Sequence, residues 1–322
     1  MRLYKFNQDF HKDPPAKVQE QAKEKASPWK LGGLTPIALG KRVYQEVDQD
    51  EVFTRSAALS YYFFSALIPM VFFLLTVLGI FANHSHDVRT NLLNYFARVM
   101  PPDAFTLVQK TLREVAVHST GLKLFFGLAL ALWSGSGGMS SIMDALNRCY
   151  HVKESRPYWK QKLVSLALTI TIAVLTVVAL GIILYGGAVA QFVGSHTGLS
   201  SVTVLVWEIV QWPLALFFVV FSFALMYFFA PDVKQEWAWI TPGSVVGVAI
   251  WLTASILFRT YLHFFNSYSK TYGSLGAVIV LLLWLFITGL AILVGGEINS
   301  EIENAAAKRG HPDAKEAGEK VA

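Results

Sequence analysis

The chain is 322 residues long, 54% hydrophobic and only 15% charged, with a net charge of +5 and a mean hydropathy of +0.44. Soluble domains carry about 25% charged residues, so a water-soluble fold is excluded, and the positive balance reads as loop lysines and arginines rather than a nucleic-acid surface. The single cysteine, Cys149, rules out an intrachain disulfide and any CxxC metal site.

Residues 1–35 are polar, include Lys17, Lys23, Lys25 and Lys30, and hold no apolar core of the signal-peptide type. They are expected to form a cytoplasmic tail, with the first span acting as its own insertion signal. Thr35-Pro36 is a helix start, with Thr as N-cap and Pro at the first helical position. From there to Arg55 the apolar residues Ile37, Val43, Tyr44, Val47 and Phe53 alternate with charged groups. That pattern fits a helix lying on the cytoplasmic interface and equally an ordinary soluble lead-in helix.

Beyond Arg55 the chain has a rhythm. No Asp, Glu, Lys or Arg occurs in residues 56–86, 124–143, 163–207, 209–231, 237–258 or 271–296. A spanning helix needs about 20 apolar residues, and hydrocarbon leaves exposed backbone groups unsatisfied, so such runs must be helical. The expected fold is an all-α polytopic membrane domain over residues 36–304. Its six spans lie near 57–82, 122–146, 163–190, 203–230, 240–264 and 273–298. No room remains for a second folded domain. Residues 83–121 form the one sizeable external segment, with a short helix expected from Pro101-Pro102-Asp103 to His118. Residues 305–322, rich in Lys, Glu, Ala and Gly, read as a disordered cytoplasmic tail.

With those spans, 20 basic residues fall on the side of the termini and 5 on the other, with Lys123 and Arg259 left at or inside the membrane. Both termini are therefore expected in the cytoplasm. The small packing faces, such as Gly243-Ser244-Val245-Val246-Gly247, suit close helix contact.

Polar groups inside a membrane are functional candidates by default. Glu208 in the fourth span and Arg259 in the fifth fall at similar depth, with Gln211 one turn from Glu208. They read either as a substrate or ion site, or as a structural tie. A second polar cluster gathers at the cytoplasmic ends: Arg55, Asp144, Asn147, Arg148, Glu297 and Asn299. Above it, Gly135, Gly137 and Gly138 form a glycine-rich stretch that reads as a helix break near midplane or as a close-packing face. His84-Ser85-His86-Asp87 and His118 match no standard metal-ligand spacing. Neither a metal site nor a cofactor is expected.

Several segments together resemble the YihY/virulence factor BrkB family of bacterial inner-membrane proteins. They are Ala57-Ala58-Leu59-Ser60-Tyr61-Tyr62 with Pro69, Trp133-Ser134-Gly135-Ser136, and Ala145-Leu146-Asn147-Arg148-Cys149-Tyr150. Tyr272-Gly273-Ser274-Leu275-Gly276-Ala277 and Gly295-Gly296-Glu297-Ile298-Asn299 bracket the last span. Their order and spacing carry the resemblance across residues 36–303. It implies six helices with both termini inside. Family members carry the label ribonuclease BN, and others are tied to serum resistance or envelope lipid export.

Three functions compete on this reading. The first is a transporter or flippase-like protein for a lipid or lipid-linked envelope component, partnered by membrane lipids and by no nucleic acid. The second is a non-transporting envelope-assembly scaffold. The third, a membrane ribonuclease, finds no acidic or histidine set of nuclease type, and the chain is expected not to be an enzyme.

Overall fold

The computed structural model describes residues 27–67, 121–197, 200–264 and 274–320, and among these every regular element is a helix. A 3-10 turn (Pro28–Gly33) leads into α1 (Pro36–Gln49), and α2 occupies residues 52–67. α3 (Gly121–Cys149), α4 (Tyr158–Thr197), α5 (Ser200–Phe229), α6 (Trp237–Phe264) and α7 (Ser274–Ala307) follow. Thr35 caps α1 as its sequence implies: its Oγ1 accepts from the Ala38 backbone N–H at 3.2 Å, with Pro36 at the first helical position.

Four of these helices are long and apolar enough to cross a membrane, along Tyr158–Ala179, Val204–Phe229, Trp237–Leu262 and Val278–Ala307. Between 17% and 33% of each apolar window is fully buried inside the protein, and the rest is half-buried or exposed. In water that surface would be an association hazard; in hydrocarbon it is the required one. α3 covers the second expected span, but the small residues of 133–141 dilute its apolar character. Of the first span only the start, in α2, falls among the described residues. Residues 83–120, with their histidines, and most of the N-terminal tail lie outside them.

α3 packs on α4, α4 on α5, α5 on α6 and α6 on α7, while α1 and the 3-10 turn lie against α7. The tightest crossing joins α6 and α7. A Cβ on Gly243 would overlap the carbonyl of Gly295, and one on Gly295 would overlap the Tyr227 hydroxyl from α5. That closeness lets the Gly243 N–H donate to Asn299 Oδ1 at 2.7 Å, and Tyr227 Oη donate to the Ile292 carbonyl at 2.7 Å. Bonds of this kind between apolar helices replace the hydrophobic drive that lipid cannot supply.

Among the described residues the buried core is lopsided. Leu59, Met143, Leu146, Tyr227, Trp239, Ile240, Leu293 and Ile302 are nearly inaccessible, and all lie where α3, α5 and α7 end and α2 and α6 begin. At the opposite end Leu205, Ile209, Trp212, Ile256 and Leu257 are exposed. α1 rests on the packed end through Leu39, Val43 and Val47. Its other side presents Ile37 and Tyr44, 87% and 76% exposed. This outward apolar stripe is the kind that lies on a lipid surface.

Two expectations are corrected. α3 runs unbroken through Gly135, Gly137 and Gly138; the side chains of Thr169 (α4) and Phe63 (α2) come close against Gly135 and Gly138. Gly135 and Gly138 make room for these neighbours while Gly137 faces open space, and the helix runs on through all three. Residues 308–320, expected to be disordered, fold back on the bundle. Gly310, at φ +79°, ends α7 in a Schellman turn, with the His311 N–H bonded to Ala306 O and the Gly310 N–H to Ala307 O. The Nε1–H of buried Trp239 then donates to Asp313 O at 3.1 Å, and Lys315 Nζ meets Glu303 Oε1 at 2.6 Å with both side chains buried. Composition alone missed these partners.

Candidate functional site

The packed end carries two polar constellations. The first forms at the corner between α1 and α2. α1 stops at Gln49, Asp50 N–H still bonds Glu46 O at 2.8 Å, and Glu51 takes the left-handed conformation at φ 54°. The turn drives Asp50 inward, where it is 2% exposed. Arg148 Nε stands 3.0 Å from Asp50 Oδ1, and Arg55 Nε donates to the Asp50 carbonyl at 2.9 Å. α3 arrives at the same place and ends in a second Schellman turn: Val152 N–H to Asn147 O at 2.9 Å, His151 N–H to Arg148 O at 2.8 Å. Here the left-handed position, usually glycine, is His151 at φ 54°. Its Nε2 lies 3.4 Å from Glu46 Oε2.

One ligand atom each from Glu46, Asp50 and His151 lie within 4.8 Å of one another. Near them Glu297 of α7 is fully buried, and its carboxylate faces the buried Cys149 thiol. It feels the charges of Asp50, Glu46 and Glu301. Glu301 itself pairs with Arg42 at 3.5 Å. Burial pushes the Asp50 carboxyl above its ordinary range despite His151, Arg148 and Arg55, and burial does the same to Glu46 against the pull of His151.

Of the sequence-derived cluster, the structure gathers Arg55, Arg148 and Glu297 around Asp50. The other three are used separately. Asp144 accepts from Gln161 Nε2 at 2.9 Å, so it does not pair with Arg148 one turn away. Asn147 donates to Glu154 Oε2 at 3.0 Å and accepts from Asp232 N–H at 2.6 Å, tying the α3 end to the α5–α6 turn. Asn299 serves the helix crossing already described.

The second constellation is a groove of about 600 Å³ where α5 ends, α4 begins and the folded tail passes. Val164, Phe228 and Phe229 give it an apolar floor, and Arg156, Lys234 and Lys320 stand along it. Arg156 grips Glu154 with two bonds of 2.7 Å and donates to the carbonyls of Ala230 and Phe229, capping α5. Asp232 accepts from Ser155 Oγ at 2.5 Å and from Lys320 Nζ. Burial would raise its pKa, but the bonds from Lys320 and Ser155 prevail and bring it down to about 2. Gln235, also lining the groove, is 9% exposed, and neither its amide nitrogen nor its oxygen has a hydrogen-bond partner. Trp237 stacks on Phe228 at 4.5 Å, and Trp237, Tyr158 and Trp159 are exposed beside it. Such a belt of amphipathic rings marks the membrane–water boundary.

Glu208 and Arg259 lie toward the other end, each exposed on its helix, with Gln211 half-buried. α5 and α6 are neighbours, but among the described residues no hydrogen bond or ion pair joins Glu208 to Arg259. Sequence reading missed Glu46, Asp50 and His151, and Arg156, Asp232, Gln235 and Lys320. The one local signal was the acidic turn Asp48-Gln49-Asp50-Glu51 ahead of the first apolar run.

Comparison with known proteins agrees with this architecture. A family described as virulence factor BrkB matches residues 43–319. A relative named "Putative ribonuclease-like protein YfkH", of Bacillus subtilis (strain 168), is 32% identical over 260 residues, covering 81% of this chain and 93% of its own. A UPF0761 membrane protein of Vibrio vulnificus (strain YJ016) is 23% identical over 280 residues, covering 83% and 82%. Another, of Stenotrophomonas maltophilia (strain K279a), is 25% identical over 271 residues, covering 83% and 61%. No solved structure matches.

Proposed function

Since this multi-pass membrane protein belongs to the virulence factor BrkB family, we propose that it handles an anionic lipid or lipid-linked envelope component in the bacterial inner membrane, as a transporter or flippase-like protein. The observation that carries this reading is the groove. An apolar floor, cationic side chains and an unpartnered amide at the membrane boundary match a headgroup phosphate with its acyl chains. Lys234 would meet the phosphate, with Lys320 held beside it by Asp232, Gln235 would bond a polar headgroup atom, and Phe228 and Phe229 would pack against the first methylenes. The groove's end of the bundle is the cytoplasmic one, as the basic residues imply. At the opposite end Glu208, Gln211 and Arg259 offer polar groups on otherwise apolar helices, where a headgroup crossing the bilayer would need them. No catalytic step is assigned to any residue.

The experiment is reconstitution into vesicles that carry a labelled anionic phospholipid in one leaflet. Wild-type protein is expected to move label between leaflets faster than empty vesicles. Lys234→Glu with Gln235→Leu is expected to cut that rate at least tenfold and to reduce co-purifying anionic lipid. Lipid retained by wild type without leaflet exchange would favour the scaffold reading. No retention and no exchange would defeat both uses of the groove.

A further inference from the structure

We propose that Glu46, Asp50 and His151 bind a divalent transition-metal ion of the zinc or manganese class, which fastens α1 to the end of α3. One nitrogen and two carboxylate ligands are the donor set such ions take. Ligand atoms about 2.1 Å from an ion sit roughly 3 to 4 Å apart. His151 Nε2 and Glu46 Oε2 already stand 3.4 Å apart, and the whole trio falls within 4.8 Å. Small side-chain rotations close the remaining difference.

Two further observations favour a cation here. Asp50 is 2% exposed, yet its Oδ2 has no hydrogen-bond partner. Glu297, fully buried and within electrostatic reach of Asp50 and Glu46, faces only the weak thiol donor of Cys149. A buried carboxylate without a partner is costly. The arginines nearby are committed: Arg148 to Asp50 Oδ1, Arg42 to Glu301 and Arg55 to a backbone carbonyl. Among the described residues no Lys or Arg pairs with Glu46 or Glu297. Imidazole as a ligand, and only three protein donors, disfavour magnesium and calcium. His151 is the exposed member of the trio, which leaves the ion a path from solvent. Its left-handed backbone holds the ring over Glu46 where a glycine would cap α3 with less strain.

The test uses the full chain, tag removed, purified in detergent and stripped with EDTA. After addition of Zn²⁺ or Mn²⁺ and equilibrium dialysis, one ion per chain is expected, with a raised unfolding temperature and at least tenfold weaker binding of Mg²⁺. Glu46→Gln and His151→Gly should each weaken binding more than tenfold. His151→Gly should unfold no earlier than wild type in EDTA, since glycine suits that turn. Binding left unchanged in both variants, or no ion held by wild type, would overturn the site.

Discussion

At the scale of single residues, the packed end depends on charges that have no water to fall back on. Lys315 and Glu303 meet at 2.6 Å with side chains 3% and 2% exposed. Breaking such a pair on one side leaves an uncompensated charge and costs about 3–5 kcal/mol, whereas replacing both partners with apolar side chains of similar volume is often tolerated. Glu303→Gln alone is therefore expected to lower stability in detergent by an amount in that range. Glu303→Met with Lys315→Met should recover most of it, as read by thermal unfolding. Little of this was legible in the sequence. Lys315 sits in a stretch whose Lys, Glu, Ala and Gly content describes a solvated tail, and composition carries no record of a cavity waiting 12 residues upstream. Glu46 and His151 share the difficulty at 105 residues' separation. By contrast, the Thr35-Pro36 cap depends on neighbours three residues away, and local physics suffices to read it.

At the scale of helices, what could be read was apolarity and length, and what could not was which faces meet. α5 and α6 are neighbours as their order suggests, and the Gly243 and Gly247 face of α6 packs on α5 and α7 as small residues at that spacing allow. Rotation about a helix axis was not readable. Glu208 and Arg259 stand on exposed faces with no bond between them among the described residues. Removing the charges is accordingly expected to be additive. Glu208→Gln, Arg259→Gln and the double variant should show a coupling energy within about 0.5 kcal/mol of zero in a stability cycle. A clearly larger coupling would mean that the two side chains meet in the membrane. The glycines of α3 illustrate the same limit: their number predicted a special place, and only the neighbours Thr169 and Phe63 show that the place is for packing.

For the whole molecule, orientation is the property that charge asymmetry addresses and helix geometry does not. In a Cys149→Ser background, a membrane-impermeant thiol reagent applied to intact cells should modify Ser195→Cys, at the end of α4, and spare Lys153→Cys, in the turn before it. Labelling of the second and not the first would reverse the molecule in the bilayer and move the groove to the outer surface. The uneven core has a mechanical consequence as well. Among the described residues the tight contacts concentrate at one end, so α5 acts as a lever whose fulcrum is the Tyr227, Gly243 and Gly295 crossing. α5 has 30 residues, a length of about 45 Å, so a tilt of about 5° at its clamped end would sweep the far end through roughly 4 Å. Displacements smaller than a bond length at the packed end would thus open or close the distant half by the width of an acyl chain.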